Sequence, residues 1–187
     1  MSRLKVMGID PGVTGGISLH GVEDGSYDVI AMPATNEEAA LTIQRLSRRW
    51  EIVLAVIERV QSMPDNAATT MLTYGKHAGF LEAACLLSAI PLRGITPQTW
   101  QKTVTGLLGE RPKPPDLKSL GRAELQEAQK AHKKLLAQHR KETKKRSIQI
   151  AKQRYPNVAG KMKTQDKDGL ADALHIGRYG LTLYREG

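Results

Sequence analysis

Residues 4–16 read LKVMGIDPGVTGG, and this stretch decides the fold. Residues 4–9 form a mostly apolar run, which is typical of a buried strand, and the run ends at Asp10. Pro11-Gly12 and Gly15-Gly16 then indicate a tight turn, because both residue types favour turn conformations. A carboxylate at the end of a buried strand, followed by a glycine-rich turn, is accessible to a ligand.

Four further segments are predicted as strands from their apolar content and the turn residues that flank them. The second and third are separated by a turn at residues 23–26, so the first three strands form an antiparallel meander. The fourth is continuously apolar, as strands buried on both faces are, and it ends at Glu58. The predicted strands cover residues 17–20, 27–32, 52–57 and 91–95.

Helical periodicity occupies most of the remaining sequence. Gly75 and Gly79 indicate that the second helix is interrupted or tightly packed at these positions. The order is βββαβαβα and then a C-terminal helix, which predicts one α/β domain over residues 1–187 with a mixed five-stranded sheet flanked by helices. The predicted helices begin at the Thr35 cap, at Asp65, at Thr96-Pro97 and at Asp168, and the last of them runs to about Tyr184.

The positive charge of the chain is concentrated in one segment. The net charge is +9, which favours a polyanionic partner. Residues 110–165 hold 16 Lys+Arg against 5 Asp+Glu, so the remainder of the chain is slightly acidic. Within it, residues 110–150 are predicted as a basic helical insertion, one long exposed helix or a pair, followed after Tyr155 by a polar loop to Lys167. The charge alone is also compatible with an acidic membrane or with solubility.

The sequence also indicates a compartment. No run approaches the roughly 18 apolar residues of a membrane helix, and the N-terminal apolar run is too short for a signal peptide. Cys85, the single cysteine, lies in an apolar helical stretch and is predicted to be a small buried hydrophobe. We therefore expect an intracellular protein without a membrane partner, in the cytoplasm or nucleoid of a bacterium or phage-infected host, or in an organelle.

Four carboxylates occupy the places where such a sheet would assemble a site. Asp10 and Glu58 end two strands that are expected to be parallel neighbours. Asp168 and Asp172 are four residues apart, so on a helix they share one face. Taken singly, the first three have ordinary explanations, as a turn cap, a surface acid or a helix N-terminal acid. Asp172 lies within the apolar run 170–174, where an unpaired carboxylate is costly.

A cluster of four acids requires a cation, because mutual repulsion and desolvation raise the pKa of each carboxyl group. The ligands are oxygen atoms, with no neighbouring His or Cys pair, so the fitting ions are Mg²⁺ or Mn²⁺. Two such ions about 4 Å apart activate a water and stabilise the leaving oxygen in phosphodiester cleavage. The four acids therefore predict a two-metal site that acts on a phosphodiester.

Several stretches together resemble the RuvC family, Holliday-junction resolvases of the RNase H-like superfamily. The resemblance covers nearly the whole chain apart from about residues 110–140, and its C-terminal part is close to the phage and organellar branch. The stretches are GIDPGVTGG at 8–16, IERV at 57–60, TPQTWQKTVTG at 96–106, KKRSI at 144–148, DGLADAL at 168–174 and ADALHIGRYG at 171–180.

The resemblance implies a crossover junction endodeoxyribonuclease with an RNase H-like sheet. It implies a homodimer with two Mg²⁺ ions per site, which nicks opposed strands of a four-way junction. In the family the fourth acid lies three residues before the last aspartate, where this chain has Gly169. Helical geometry favours Asp168 instead, with Asp166 as the second candidate. The other three acids carry over as catalytic metal ligands: Asp10, Glu58 and Asp172.

Basic residues are the main candidates for contacts with DNA. A lysine within residues 144–146 would also stabilise charge on the scissile phosphate. Met63 stands where the family carries its junction-opening aromatic, so it is the candidate wedge. His77 is compatible with a phosphate contact or with an ordinary surface position, and Trp50 and Trp100 are predicted core residues. The DNA-binding candidates are Lys76, Lys102, Lys144, Lys145 and Arg146.

Three other functions are compatible with parts of the sequence. An RNase H-like nuclease that cuts forks, flaps or RNA–DNA hybrids would use the same metal site. A non-catalytic protein that binds DNA junctions would leave the four acids without a purpose. GIDPG at 8–12 also resembles the first phosphate loop of the actin and sugar-kinase superfamily, but that fold needs a second nucleotide-binding half, for which 187 residues are too few.

Overall fold

Five strands form one mixed sheet in the order β3-β2-β1-β4-β5. A computed structural model describes residues 3–59, 68–104, 112–114, 121–162 and 168–187. The first three strands pair as the predicted antiparallel meander, and β4 and β5 run parallel to β1. All five predicted strands are confirmed to within two residues. Their bounds are β1 Leu4–Asp10, β2 Gly16–Gly21, β3 Tyr27–Ala31, β4 Glu51–Glu58 and β5 Leu92–Ile95.

Helices cover both faces of this sheet. The predicted cap of the first helix is confirmed, because the Thr35 hydroxyl accepts a hydrogen bond of 3.1 Å from the backbone N–H of Glu38. Among the described residues, no helix is both long and apolar enough to cross a membrane. The α-helices are α1 Asn36–Arg49, α2 Ala68–Leu87, α3 Pro97–Val104, α4 Arg122–Arg154 and α5 Asp168–Glu186.

Alternation along the strands separates two cores. Met7 and Ile9 of β1 pack with Ile43 of α1 and Leu81 of α2 on one face, because alternate side chains of a strand point to the same side. Cys85 belongs to this core as a buried free thiol, as predicted, and burial raises its pKa to about 12. The residues between these positions face α5 on the other side of the sheet.

α5 approaches the sheet more closely than side chains normally allow. A Cβ atom at Gly8 would lie 2.2 Å from the backbone nitrogen of Gly177, so β1 and α5 meet backbone to backbone. The Ser18 hydroxyl of β2 donates a hydrogen bond of 2.6 Å to the carbonyl of Ala173, further along the same contact. These contacts fix where the N-terminal turn of α5 lies relative to the strand ends.

The expectation for Gly75 and Gly79 is wrong. α2 runs through both residues without a break, and nothing in the described chain lies within 4 Å of a Cβ atom built at either. Within the part of the chain that the structure describes, the face of α2 that carries them is therefore uncovered rather than tightly packed. Leu72, with 74% of its surface exposed, and Leu86, with 68%, lie on this face.

The segment after α4 also differs from its prediction. Residues 156–162 are not a polar loop but a 3-10 helix, Pro156–Met162, whose Val158 and Met162 are buried with Leu170 of α5. Val158 and Met162 are separated by polar and small residues, so the sequence shows no apolar pattern that would predict a buried segment here. Of the two forms predicted for the basic insertion, the described part is one helix, since α4 is continuous over 33 residues.

Candidate active site

The register of the sheet brings Asp10 and Glu58 side by side. β1 and β4 are parallel with Ile9 opposite Ile57, so these acids follow as the next pair at the ends of strands about 4.8 Å apart. Glu58 lies two residues beyond Val56, which packs with α5, and Asp10 lies two residues beyond the glycine that meets α5. Both acids therefore belong to the face that α5 covers.

The first two turns of α5 supply the other two acids. Asp168 begins the helix, and Asp172 follows one turn later on the same face. A Cβ atom at Gly169 would lie 2.3 Å from the carbonyl oxygen of Thr14 and 2.8 Å from Oδ2 of Asp10. Position 169 therefore has no room for an acidic side chain, whereas Asp168 directly before it carries one.

The four carboxyl groups influence one another electrostatically. The pKa of Asp10 is raised to about 6 by burial, which outweighs a backbone hydrogen bond from Gly12 that lowers it, and the charge of Asp168 contributes to the rise. Burial and then the charge of Asp10 raise the pKa of Glu58 to about 7. The pKa of Asp172 is raised well above its usual value by burial and then by Asp10. The cluster therefore attracts either protons or a cation.

Lys144 of α4 is the cation that contacts this cluster. Its Nζ lies 2.5 Å from Oδ2 of Asp168, and the lysine side chain is 62% exposed while the aspartate side chain is 13% exposed. The hydrogen bond to Asp168 raises the pKa of Lys144, so the ammonium group stays charged. Among the described residues, one positive charge thus contacts a group of four acids.

Two buried side chains form hydrogen bonds with two of the acids, and a third buried side chain connects them. The Ser147 hydroxyl donates a hydrogen bond of 2.8 Å to Oδ1 of Asp172, and the Trp100 indole N–H donates one of 2.8 Å to Oε2 of Glu58. His175 connects these two pairs. Its Nε2 donates to the Ser147 carbonyl at 3.1 Å, and its ring stacks on Trp100 with centroids 6.1 Å apart. Burial lowers the pKa of His175 to about 4, so the ring is neutral with its proton on Nε2.

Tyr74 of α2 is a further group near the acids. Burial and then the charges of Asp10, Glu58 and Asp172 raise the pKa of its phenol, so the hydroxyl keeps its proton at neutral pH. A protonated phenol is a hydrogen-bond donor in a site made of acceptors. The sequence does not reveal this role, because a lone tyrosine in a helix belongs to no recognisable pattern.

The other predicted residues lie in varied places. His77 is buried with its Nδ1 2.5 Å from Oδ1 of Asn36 on α1, so it packs between helices instead of facing a phosphate. Trp100 is buried as predicted, whereas Trp50 is only partly buried, beneath the ammonium group of Lys5 at 4.9 Å. Met63 and Asp166 fall outside the described residues. The exposed candidates are Lys76 on α2, Lys102 on α3, and Lys145 and Arg146 on α4.

The oxygen donors of the four acids suit a hard cation, although the acids are not grouped as a ready-made metal site. Their donors are carboxylate oxygens, which Mg²⁺ and Mn²⁺ prefer. Within the described ranges, no three acids, histidines or cysteines stand close enough together to form a ready metal cage. A divalent ion at this site would be held by the carboxylate oxygens of Asp10, Glu58, Asp168 and Asp172.

This sheet order, with acids at the ends of β1 and β4 and on the C-terminal helix, defines the RNase H-like fold. No protein-family model matches the chain, and no curated protein sequence does either. A solved structure of "T. thermophilus RuvC in complex with Holliday junction substrate" matches with a TM-score of 0.52 and 15% identity, over 98% of this chain and 96% of that one. A second structure of Thermus thermophilus RuvC matches with a TM-score of 0.51 and 14% identity, over 97% and 96%. The chain therefore has the RuvC fold over nearly its whole length.

Proposed function

We propose that this chain is a structure-selective endonuclease that resolves four-way DNA junctions by metal-dependent phosphodiester hydrolysis. The observation that carries the proposal is the group of four acids at one end of a sheet with the RuvC fold. A protein of net charge +9 suits an anionic polymer, yet it places mutually repelling carboxylates in one site. Binding of DNA alone gives no reason for that arrangement, whereas metal-dependent cleavage does.

In this proposal Asp10, Glu58, Asp168 and Asp172 hold two Mg²⁺ ions, with Mn²⁺ as a substitute. When bound, the ions supply charge stabilisation and an activated water. The rest belongs to the chain itself. Lys144, released from Asp168, neutralises charge on the scissile phosphate, and Tyr74 donates a hydrogen bond to a phosphate or water oxygen.

Contacts with the remainder of the substrate complete the proposal. The exposed lysines and arginine of α2, α3 and α4 bind the backbone of the junction, and Met63 wedges between bases at its centre. We propose that residues 1–187 act as one nuclease domain with a basic insertion, in the cytoplasm or nucleoid where such DNA occurs. The residues in contact with the backbone are Lys76, Lys102, Lys144, Lys145 and Arg146.

A cleavage panel tests this function. Four-way junction, fork, flap, linear duplex and RNA–DNA hybrid are each incubated with Mg²⁺ or Mn²⁺. Paired symmetrical nicks on the junction alone are the expected result. Equal cutting of linear duplex contradicts junction selectivity. A preference for forks, flaps or hybrids favours the second candidate, a nuclease with the same site, and junction binding without any cleavage indicates a non-catalytic protein.

We also propose that the enzyme is a homodimer joined through the uncovered face of α2. That face carries Leu72 and Leu86, which are 74% and 68% exposed, with Gly75 and Gly79 between them. Exposed apolar patches mark interaction surfaces, and small residues let two helices approach closely. A two-fold contact here gives each junction two symmetry-related sites, as paired nicking requires.

The double variant Leu72→Glu with Leu86→Glu is expected to sediment as a monomer, because like charges on both copies would oppose the contact. It should nick one strand of a junction instead of both. Leu41→Glu on α1, where the leucine is 52% exposed, serves as the matched control and should remain dimeric. A wild-type protein that sediments as a monomer at every accessible concentration would rule out this interface.

Trp100→Phe is expected to lower the single-turnover rate of junction cleavage about 10-fold, because loss of an outer hydrogen bond to a metal ligand typically costs 10- to 100-fold. The phenyl ring preserves most of the packing while the 2.8 Å hydrogen bond to Glu58 is lost. Junction affinity should not change. Trp50→Phe, distant from the acids, is the control; an unchanged rate in Trp100→Phe would show that the indole does not position Glu58.

A further inference from the structure

Most of α4 lies away from the core. From Leu125 to Arg146 no described side chain is buried, whereas Ser147 and Ala151 are buried on the side that packs with α5 and the 3-10 helix. The C-terminal end of α4 is thus anchored beside the acids, and the preceding turns form an arm whose orientation is fixed by that anchor.

The arm carries its positive charge on one side. Successive residues of a helix are rotated by about 100° around its axis, so the cations from Lys130 to Lys144 fall within an arc of about 120°. Further along α4, Ser147 and Ala151 lie on about the same side of the helix and face the core. Glu142 is the acid in this interval, lies about 140° from the centre of the arc, and accepts a hydrogen bond of 3.0 Å from Gln138. The cations are Lys130, Lys133, Lys134, Arg140, Lys141 and Lys144, here named the α4 track.

The α4 track has the length and charge of a contact with nucleic acid. Lys130 and Lys144 are separated by about 21 Å along the helix, at a rise of about 1.5 Å per residue. One DNA strand carries a phosphate about every 3.4 Å, so the row spans about six phosphates. In the described part of the chain, Lys144 is the member of the row that pairs with a carboxylate. Six neighbouring cations without acids among them repel one another and favour a polyanion.

We propose that the α4 track binds the sugar–phosphate backbone of the duplex arm that leaves the active site. Its last member, Lys144, contacts Asp168, so a strand that reaches the acids continues along the row toward Lys130. This inference rests on the proposed function, because it takes DNA to be bound at the acids. It also predicts that the full contact with the α4 track forms only when the arm on this side extends at least about six base pairs.

The test neutralises the far part of the row and leaves Lys144 in place. In the triple variant Lys130→Gln, Lys134→Gln and Lys141→Gln, three phosphate contacts are lost. The slope of log affinity against log salt concentration should then fall by about 3, equally for all sequences. The triple variant should bind junctions with long arms more weakly than the wild type does. Junctions with arms of about four base pairs, closed by hairpin loops, should be bound and cut equally by the two proteins.

A charge-transposed variant is the matched control. It combines the triple variant with Ala128→Lys, Ala131→Lys and Leu135→Lys, which lie more than about 100° from the centre of the track and restore the net charge. It should show the same loss as the triple variant. Recovery of wild-type affinity would overturn the track, because net charge alone would then suffice.

Two further outcomes separate this inference from the proposed function. If the wild type cuts junctions and the triple variant keeps its salt slope, the track is wrong and the function stands. If no DNA is cut but the dependence on arm length persists, the proposed nuclease function is wrong and the α4 track stands.

Loss of binding to phosphatidylserine vesicles in the triple variant, with unchanged DNA binding, would overturn the track and assign this face to a membrane. Circular dichroism should show equal helix content in all variants.

Discussion

Asp172→Asn is expected to reduce junction cleavage about 10³-fold or more while junction binding is retained, since only charge stabilisation at the reaction centre is removed. The amide has nearly the shape of the carboxylate and can still accept the Ser147 hydrogen bond, which is 2.8 Å long. The substitution removes one buried negative charge from a site that receives a polyanion. Affinity for the junction should therefore stay equal or rise, and the same result is expected for Asp10→Asn.

The measurement is a single-turnover cleavage rate in Mg²⁺, with binding measured separately in Ca²⁺ or EDTA. Asp28→Asn is the matched control, because Asp28 is 60% exposed and pairs with Lys161 on the surface. That variant should cleave like the wild type. Cleavage that survives in both Asp10→Asn and Asp172→Asn would place the reaction elsewhere in the molecule and would remove the main support for the nuclease.

The strand-end acids could be predicted because their determinants are local. An apolar run that ends at Asp10, and another that ends at Glu58, define two strands, and parallel pairing then brings their ends together. The spacing of Asp168 and Asp172 likewise follows from helical periodicity alone. In contrast, the blocked position at Gly169 depends on the path of the Thr14–Gly15 turn, and only the three-dimensional contact reveals it.

The supporting contacts could not be predicted, because they join distant parts of the chain. Trp100 and Glu58 are 42 residues apart, and Ser147 and Asp172 are 25 apart. An indole in an apolar pattern predicts core packing, which is confirmed, but the pattern does not reveal which acceptor its N–H finds. Lys144 was predicted for contact with DNA, and its ion pair with Asp168 depends on where α4 docks against α5.

In the absence of divalent ions, ionisation of Glu58 and Asp172 is expected to destabilise the protein as the pH rises from about 6.5 to about 8.5, and excess Mg²⁺ should remove most of this effect. The pKa of Glu58 is raised from 4.5 to about 7 in the folded chain, and that of Asp172 is also raised. A raised folded pKa means that the folded state binds the proton more tightly. The stabilisation is complete below the unfolded pKa and disappears as the pH passes the folded one.

Two buried histidines oppose this change at the lower end of the window. His20 and His175 have folded pKa values lowered to about 3 and 4, so they add stability as the pH rises through their unfolded value of 6.5. The thiol of Cys85 keeps its proton until higher pH. Glu58 alone should account for a loss on the order of 1 kcal/mol across the window. Such a change corresponds to a melting temperature lower by about 2 to 4 °C.

Glu58→Gln isolates the cause of this pH dependence, because the amide does not titrate. Thermal melts in EDTA should show a smaller decline for Glu58→Gln than for the wild type, and Asp28→Asn should decline like the wild type. Mg²⁺ should raise the melting temperature of the wild type most at the alkaline end, where the acids are ionised and their repulsion is strongest. A melting temperature independent of both pH and Mg²⁺ would mean that the four carboxylates neither repel one another nor bind an ion.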